Sequence, residues 1–145
     1  MLLGPSRIGK TTTCYKLQSI LLSSSYLMTL DVETQEWVQS PDHTIYLYDT
    51  PGSMSLRHRI KPYVPKIHVF IWLINPHSVY SLYTEYEALA PFATWIIVDR
   101  YRQSQWKAWG ASHDIVYVEE ITKDVLLTQL AEIPPACHPW NCSIM

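Results

Sequence analysis

Basic charge, paired cysteines and long apolar runs are what this chain has least of. Eleven Lys and Arg stand against thirteen Asp and Glu, for a net charge of −2. With no basic excess there is no field to neutralise a phosphate backbone, and no nucleic-acid partner is expected. Three Cys are too few for a disulfide framework, and no C-x-x-C occurs. His43, His58, His68, His77, His113 and His138 lack metal-ligand spacing, so no structural metal site is expected. No apolar run reaches the roughly 18 residues that span a bilayer. The first residues lack the charged and apolar layout of a secretory leader. Internal repeats, low-complexity tracts and domain linkers are also missing.

What is present suits a globular domain. At 145 residues, with 48% apolar side chains, the chain is long enough for one domain with a real core. Ten Tyr and six Trp are many for this length. Short apolar stretches alternate with helical ones, an α/β pattern. Residues 10–24 read as a helix with Cys14, Leu17, Ile20 and Leu21 on one face. Residues 29–38 and 43–49 read as a hairpin around the turn Ser40-Pro41-Asp42. The runs 68–74 and 93–99 read as buried parallel strands, and 114–118 as the last strand. Helices are expected over 77–89 and 122–133. The domain is therefore expected over 1–133, followed by a proline-broken tail over 134–145.

Two motifs carry chemistry. Gly4-Pro5-Ser6-Arg7-Ile8-Gly9-Lys10-Thr11 fits G-x-x-x-x-G-K-[ST], directly before an amphipathic helix. Backbone N–H groups of such a loop, with the N-terminus of the next helix, cradle nucleotide phosphates. Gly4 and Gly9 allow the backbone angles and the close approach. Lys10 is a point charge for the outer phosphates, and Thr11 a hydroxyl for Mg²⁺. Arg7, Ile8 and Thr12 complete the expected phosphate contacts. The second motif, Asp49-Thr50-Pro51-Gly52, closes the strand TIYLYD. An acidic residue there can hold Mg²⁺, and a D-x-x-G glycine N–H can sense a third phosphate.

The series GPSRIGKTT, TLDVETQEW, IYLYDTPG and HVFIWLINP resembles small GTPases of the Ras superfamily, nearest in look to the Arf-like branch. The likeness runs over residues 1–133 in order. It implies a P-loop NTPase fold, α/β with a Ras-like mostly parallel sheet flanked by helices, and a Mg²⁺ and GTP/GDP site. It also implies two switch segments that meet effector or regulator proteins. By position, Thr11, Thr29 and Asp49 resemble the metal-holding set, and Gly52 the third-phosphate sensor.

The sequence departs from the family in four places. Where the family reads guanine with N-K-x-D, this chain has Asp99-Arg100-Tyr101-Arg102. Arg102 stands in the place of the reading carboxylate, and a guanidinium only donates. Losing such a pair lowers discrimination on the order of 10⁴-fold in well-built sites. Asp99 is a substitute carboxylate three residues early, and Arg100 has a stem that can cover the base. Ser53 takes the place of the glutamine that orients water, so hydrolysis should be slow. Ser6 and Arg7 stand where small residues are usual. Only Met1, Leu2 and Leu3 precede the loop, so the first strand is expected to be a stub with open ladder edges.

The tail ends Cys142-Ser143-Ile144-Met145, a C-a-a-X pattern that makes Cys142 the expected farnesyl site. That matches Ras and Rho branches and departs from the Arf branch, since no Gly follows Met1. No polybasic stretch precedes it, and Cys137 is read equally as a palmitoylation site or as a plainly exposed thiol. The expectation is a divergent nucleotide-binding switch or scaffold, cytoplasmic and peripheral at the cytosolic face of a membrane. Two alternatives remain: an active GTPase with a displaced base loop, and a small phosphate-loop kinase.

Overall fold

The structure, a computed structural model, describes residues 1–18, 29–41 and 43–133. Cys137 and Cys142, with the rest of 134–145, lie outside the described residues. The chain forms an α/β domain with a six-stranded, mostly parallel sheet flanked by helices. In chain order the elements are β1 (Leu2–Leu3), α1 (Lys10–Leu17), β2 (Glu33–Ser40), β3 (His43–Asp49), β4 (Val69–Leu73), α2 (Ser81–Leu89), β5 (Thr94–Val98), α3 (Ser104–Ser112), β6 (Val116–Val118) and α4 (Lys123–Ala131). Two 3₁₀ turns, Met54–Arg59 and Lys61–Lys66, join β3 to β4. Among the described residues no helix is long and apolar enough to cross a membrane.

The sheet order is β2-β3-β1-β4-β5-β6, with only the β2–β3 pair antiparallel. The hairpin expected from the alternation of 29–49 is present, but its first strand starts at Glu33. β1 is the expected stub, and it lies in the middle of the sheet. Leu2 stands opposite Asp49 on one side and Ile71 on the other. The Met1 carbonyl accepts from Ile71 N at 2.8 Å, and Thr50 Oγ1 donates to Leu2 O at 2.6 Å. These bonds seat the D-x-x-G turn on the strand that leads into the glycine loop.

Alternation along the strands divides the core between two faces. Leu2, Ile45, Leu47, Val69, Ile71 and Leu73 meet Cys14 and Leu17 of α1 and Leu126 and Leu130 of α4. Leu3, Phe70, Trp72, Trp95 and Ile97 meet Leu82 and Tyr86 of α2 and Trp106 of α3 on the other face. All five residues of β4 are buried, as a central parallel strand requires. Much of the aromatic content is here. Trp72 meets Trp106 edge-on at 5.0 Å and Trp95 at 5.8 Å, while Phe70 stacks on Trp95 at 4.4 Å.

α3 is the element the sequence pattern did not bring out. Its buried residues are only Trp106 and Gly110, and its aliphatic content is two alanines. A glycine lowers helix propensity, so the apolar stripe is carried by tryptophan alone. Gly110 faces Ile97 and Tyr117, which a Cβ there would meet at the ordinary contact distances of 3.5 and 4.0 Å. Trp72→Ala should cost about 3–5 kcal/mol of unfolding free energy, because a fully buried ring leaves a cavity between β4, α2 and α3. Urea unfolding followed by far-UV circular dichroism checks this, and a loss below about 1 kcal/mol would contradict the packing.

Candidate functional site

The glycine loop runs from β1 into α1 and takes the backbone angles that its sequence anticipates. Gly4 has φ 146° and Gly9 φ 98°, both in the region that favours glycine. A Cβ on Gly4 would lie 2.4 Å from the Leu73 carbonyl oxygen, so the loop leaves the sheet pressed against β4. Arg7 takes φ 62° and is exposed at the loop tip. Thr13 donates from Oγ1 to Gly9 O at 2.7 Å and fastens the first turn of α1.

Lys10 is buried beneath this loop. Its Nζ donates to Gly4 O and to Pro5 O, both at 2.9 Å. Burial lowers its pKa to about 8, against the opposing pull of the Asp49 carboxylate. The ammonium is therefore held under the loop backbone by two carbonyls. Ile8 is half-buried, and Thr12 is exposed on the first turn of α1.

Thr11, Thr29 and Asp49, three residues far apart in sequence, come together. Thr11 Oγ1 donates to Asp49 Oδ2 and lies 3.3 Å from Thr29 Oγ1. Thr29 Oγ1 reaches the same carboxylate oxygen at 3.5 Å. Asp49 is fully buried at the end of β3, and burial pushes its carboxyl up while the Thr11, Lys10, Thr50 and Thr29 neighbours pull it down. Its second oxygen, Oδ1, is buried with no hydrogen-bond partner. A buried carboxylate oxygen without a partner is costly. Two hydroxyls and an orphaned carboxylate oxygen make a hard oxygen donor set of the kind that suits Mg²⁺, so the residues fit such an ion. Among the described residues no group of three or more His, Cys, Asp or Glu is placed to hold a metal ion.

Gly52 lies directly on the loop. A Cβ there would come within 2.3 Å of Ser6 N and 2.6 Å of Pro5 C, so only glycine fits without moving the backbone. Ser53 follows, with its Oγ 2.8 Å from Ser55 Oγ. The 3₁₀ turn after it is tied to the segment that carries Thr29. Arg59 donates to Leu30 O at 3.0 Å and sits 3.7 Å from the Asp31 carboxylate.

At the end of β5 the structure gives Asp99 a clear role. The carboxylate is fully buried and accepts from Tyr101 N, Gln103 N, Gln103 Nε2 and Tyr117 Oη, at 3.1, 2.7, 3.1 and 2.7 Å. Burial by itself would raise this carboxyl, yet the bonds from Tyr117, Gln103 and Tyr101 together hold it below the usual range. Asp99 thus fixes the β5–α3 turn. Both of its oxygens are engaged there. Arg100 leans over the glycine loop, with Nη1 3.4 Å from Ile8 O and in reach of Gly9. Arg102, at φ 53°, points to Glu119 after β6, with Nε 3.0 Å from the carboxylate. Tyr117 and Gln103 were missed in the sequence. Each acts through a contact made across the fold or the turn, and no spacing rule marks it.

No family model matches this chain, and no curated protein matches it significantly.

The Asp99 cluster has a pH signature. A carboxyl held below its unfolded value of about 3.9 adds stability above that pH, and the gain is lost as pH falls through the folded value. Asp99→Asn should cost about 2 kcal/mol at pH 7, because the amide offers one acceptor oxygen to several donors. The gap between wild type and variant should narrow below pH of about 4. Paired denaturation curves at pH 7 and pH 3 check it; an equal gap at both would exclude the ionised carboxylate as the source.

Proposed function

We propose that this chain is a divergent small GTPase-like protein of P-loop NTPase type that binds a Mg²⁺–nucleotide, with weakened guanine specificity and poor hydrolysis. The observation that carries the reading is the convergence of Lys10, Thr11, Thr29 and the orphaned Asp49 Oδ1 at the mouth of one glycine loop. The donors present match the needs of a polyphosphate and its cation. Loop N–H groups and the N-terminus of α1 suit phosphate oxygens, and Lys10 adds a positive charge. Thr11, Thr29 and Asp49 would hold Mg²⁺, whose chemistry when bound is to neutralise charge on the outer phosphates.

The base end supports the weakened specificity. Asp99 is committed to its turn, and the place of the family's reading carboxylate holds the donor-only Arg102, itself paired with Glu119. Arg100 beside Ile8 and Gly9 offers an aliphatic stem and a charge to whatever lies on the loop, without discriminating between purines. Poor hydrolysis follows from Ser53, whose short hydroxyl pairs with Ser55 where a water-orienting amide would be needed. In this reading the segments 29–38 and 53–62 are the surfaces for effector or regulator proteins. The tie from Arg59 to Leu30 and Asp31 joins them.

A thermal-shift titration of the purified chain with GTP, GDP, ATP and XTP, each with and without Mg²⁺, tests the proposal. Ligand at 100 times its Kd should stabilise the fold by about 2.7 kcal/mol. The expected result is a Mg²⁺-dependent shift of similar size for the triphosphates, abolished in Lys10→Ala and reduced in Asp49→Asn. Strong selectivity for guanine would overturn the weakened-reader part. No shift with any nucleotide, on a folded sample, would overturn nucleotide binding itself.

A further inference from the structure

The groups around the glycine loop differ in what they have left to give a ligand. The end of β5 meets the loop through Arg100, whose Nη1 lies 3.4 Å from Ile8 O and 3.3 Å from where a Cβ on Gly9 would stand. Beside it, the side chains with directed donors and acceptors are engaged with one another. Asp99 accepts four bonds, from Tyr101 N, Gln103 N, Gln103 Nε2 and Tyr117 Oη. Gln103 therefore spends its amide group on Asp99, and its Oε1 accepts from Gln105 Nε2 at 3.4 Å. Tyr117 spends its hydroxyl proton on the same carboxylate. Arg102 is paired with Glu119 at 3.0 Å. One base is told from another by directed donors and acceptors, and turning Asp99, Gln103 or Tyr117 toward a base would dismantle the β5–α3 turn.

What the loop keeps is positive charge. Lys10 lies buried beneath it, Arg7 is exposed at its tip, and Arg100 leans over it from β5. Arg100 is exposed, its bond to Ile8 O is long, and among the described residues no carboxylate forms an ion pair with it. A guanidinium offers a planar fork of donors that suits two phosphate oxygens. Contacts to phosphate position a ligand and carry no information about its base. On the far side of the loop, Asp49 Oδ1 is buried without a partner.

We propose that the ligand recognised here is the Mg²⁺ complex of a polyphosphate chain as such, that Arg100 is one of its phosphate-binding residues, and that an attached base adds no affinity. This inference rests on the Mg²⁺–phosphate reading of the loop given above and names its substrate class. Inorganic tripolyphosphate and the nucleoside triphosphates are then equivalent ligands. Selectivity lies in the number and charge of the phosphates, which Lys10, Arg100 and the loop N–H groups sense, and the nucleoside extends past Arg100 unread.

The test titrates tripolyphosphate, GTP and ATP, each with Mg²⁺, and guanosine alone into the 145-residue chain by isothermal titration calorimetry. Backbone amide NMR shifts locate the binding. The three polyphosphates should have Kd values within about fivefold of one another, and guanosine should not bind. Shifts should centre on residues 6–12. Arg100→Gln removes an exposed side chain and should weaken all three polyphosphates by one common factor of about tenfold. Glu119→Gln should change none of them. A wider gap in favour of GTP would overturn the inference and leave the Mg²⁺–nucleotide reading standing. Loss of GTP binding alone in Glu119→Gln would do the same and make Glu119 a base reader. Tripolyphosphate shifts away from the loop, or affinity indifferent to Arg100→Gln, would overturn it as adsorption to surface charge. No binding of any polyphosphate to a folded sample would overturn the inference together with the reading beneath it.

Discussion

Two residues hold the sheet together. Among the described residues, Leu2 and Leu3 are the only strand between the β2–β3 hairpin and the block β4-β5-β6. Every feature near the glycine loop depends on that seam. Thr50 bonds to Leu2 O, Asp49 stands opposite Leu2, and the loop departs directly after Leu3. A short strand with full burial can serve because its neighbours add side-chain packing on both faces: Leu2 on α1 and α4, Leu3 on the aromatic side. The ladder bonds fix register, and burial supplies most of the stabilisation.

From this seam the site acquires its order. The hairpin brings Asp49 up to the loop from one side. Leu73 at the end of β4 meets Gly4 from the other. β5 ends beside them, where Asp99 holds the following turn so that Arg100 falls across Ile8. Charged groups are treated unequally. Lys10 and Asp49 are shifted chiefly by burial, and Asp49 Oδ1 has no partner, whereas Asp99, against the same burial, is held down by the bonds that engage both its oxygens. The partnerless Asp49 Oδ1 is what the proposed reading gives to a ligand, whereas the oxygens of Asp99 are spent on its own turn.

Much of this was legible in the residues themselves. The strands over 43–49, 68–74 and 93–99 announced themselves by unbroken or alternating apolar character, because a sheet strand must bury one or both faces. The loop was legible because only glycine meets its backbone angles at Gly4 and Gly9. Thr29 was assigned to the metal set by position in a resemblance, and the structure brings it to Thr11 and Asp49. Less was visible where contacts are made at a distance. Nothing local says that Asp99 accepts from Tyr117, eighteen residues on, instead of facing a ligand. α3 was hidden for another reason: tryptophans and a glycine replace the aliphatic stripe by which helices are recognised.

The tie between Arg59 and the Leu30–Asp31 segment sets a scale for communication across the molecule. Its partners are 42% and 64% exposed, and the carboxylate lies 3.7 Å away. A solvent-facing link of this kind is worth about 1 kcal/mol or less. Through it, an event at one segment can change the equilibrium at the other by about fivefold at most. The two segments are coupled as a slipping clutch is coupled: each feels the other, and neither compels it.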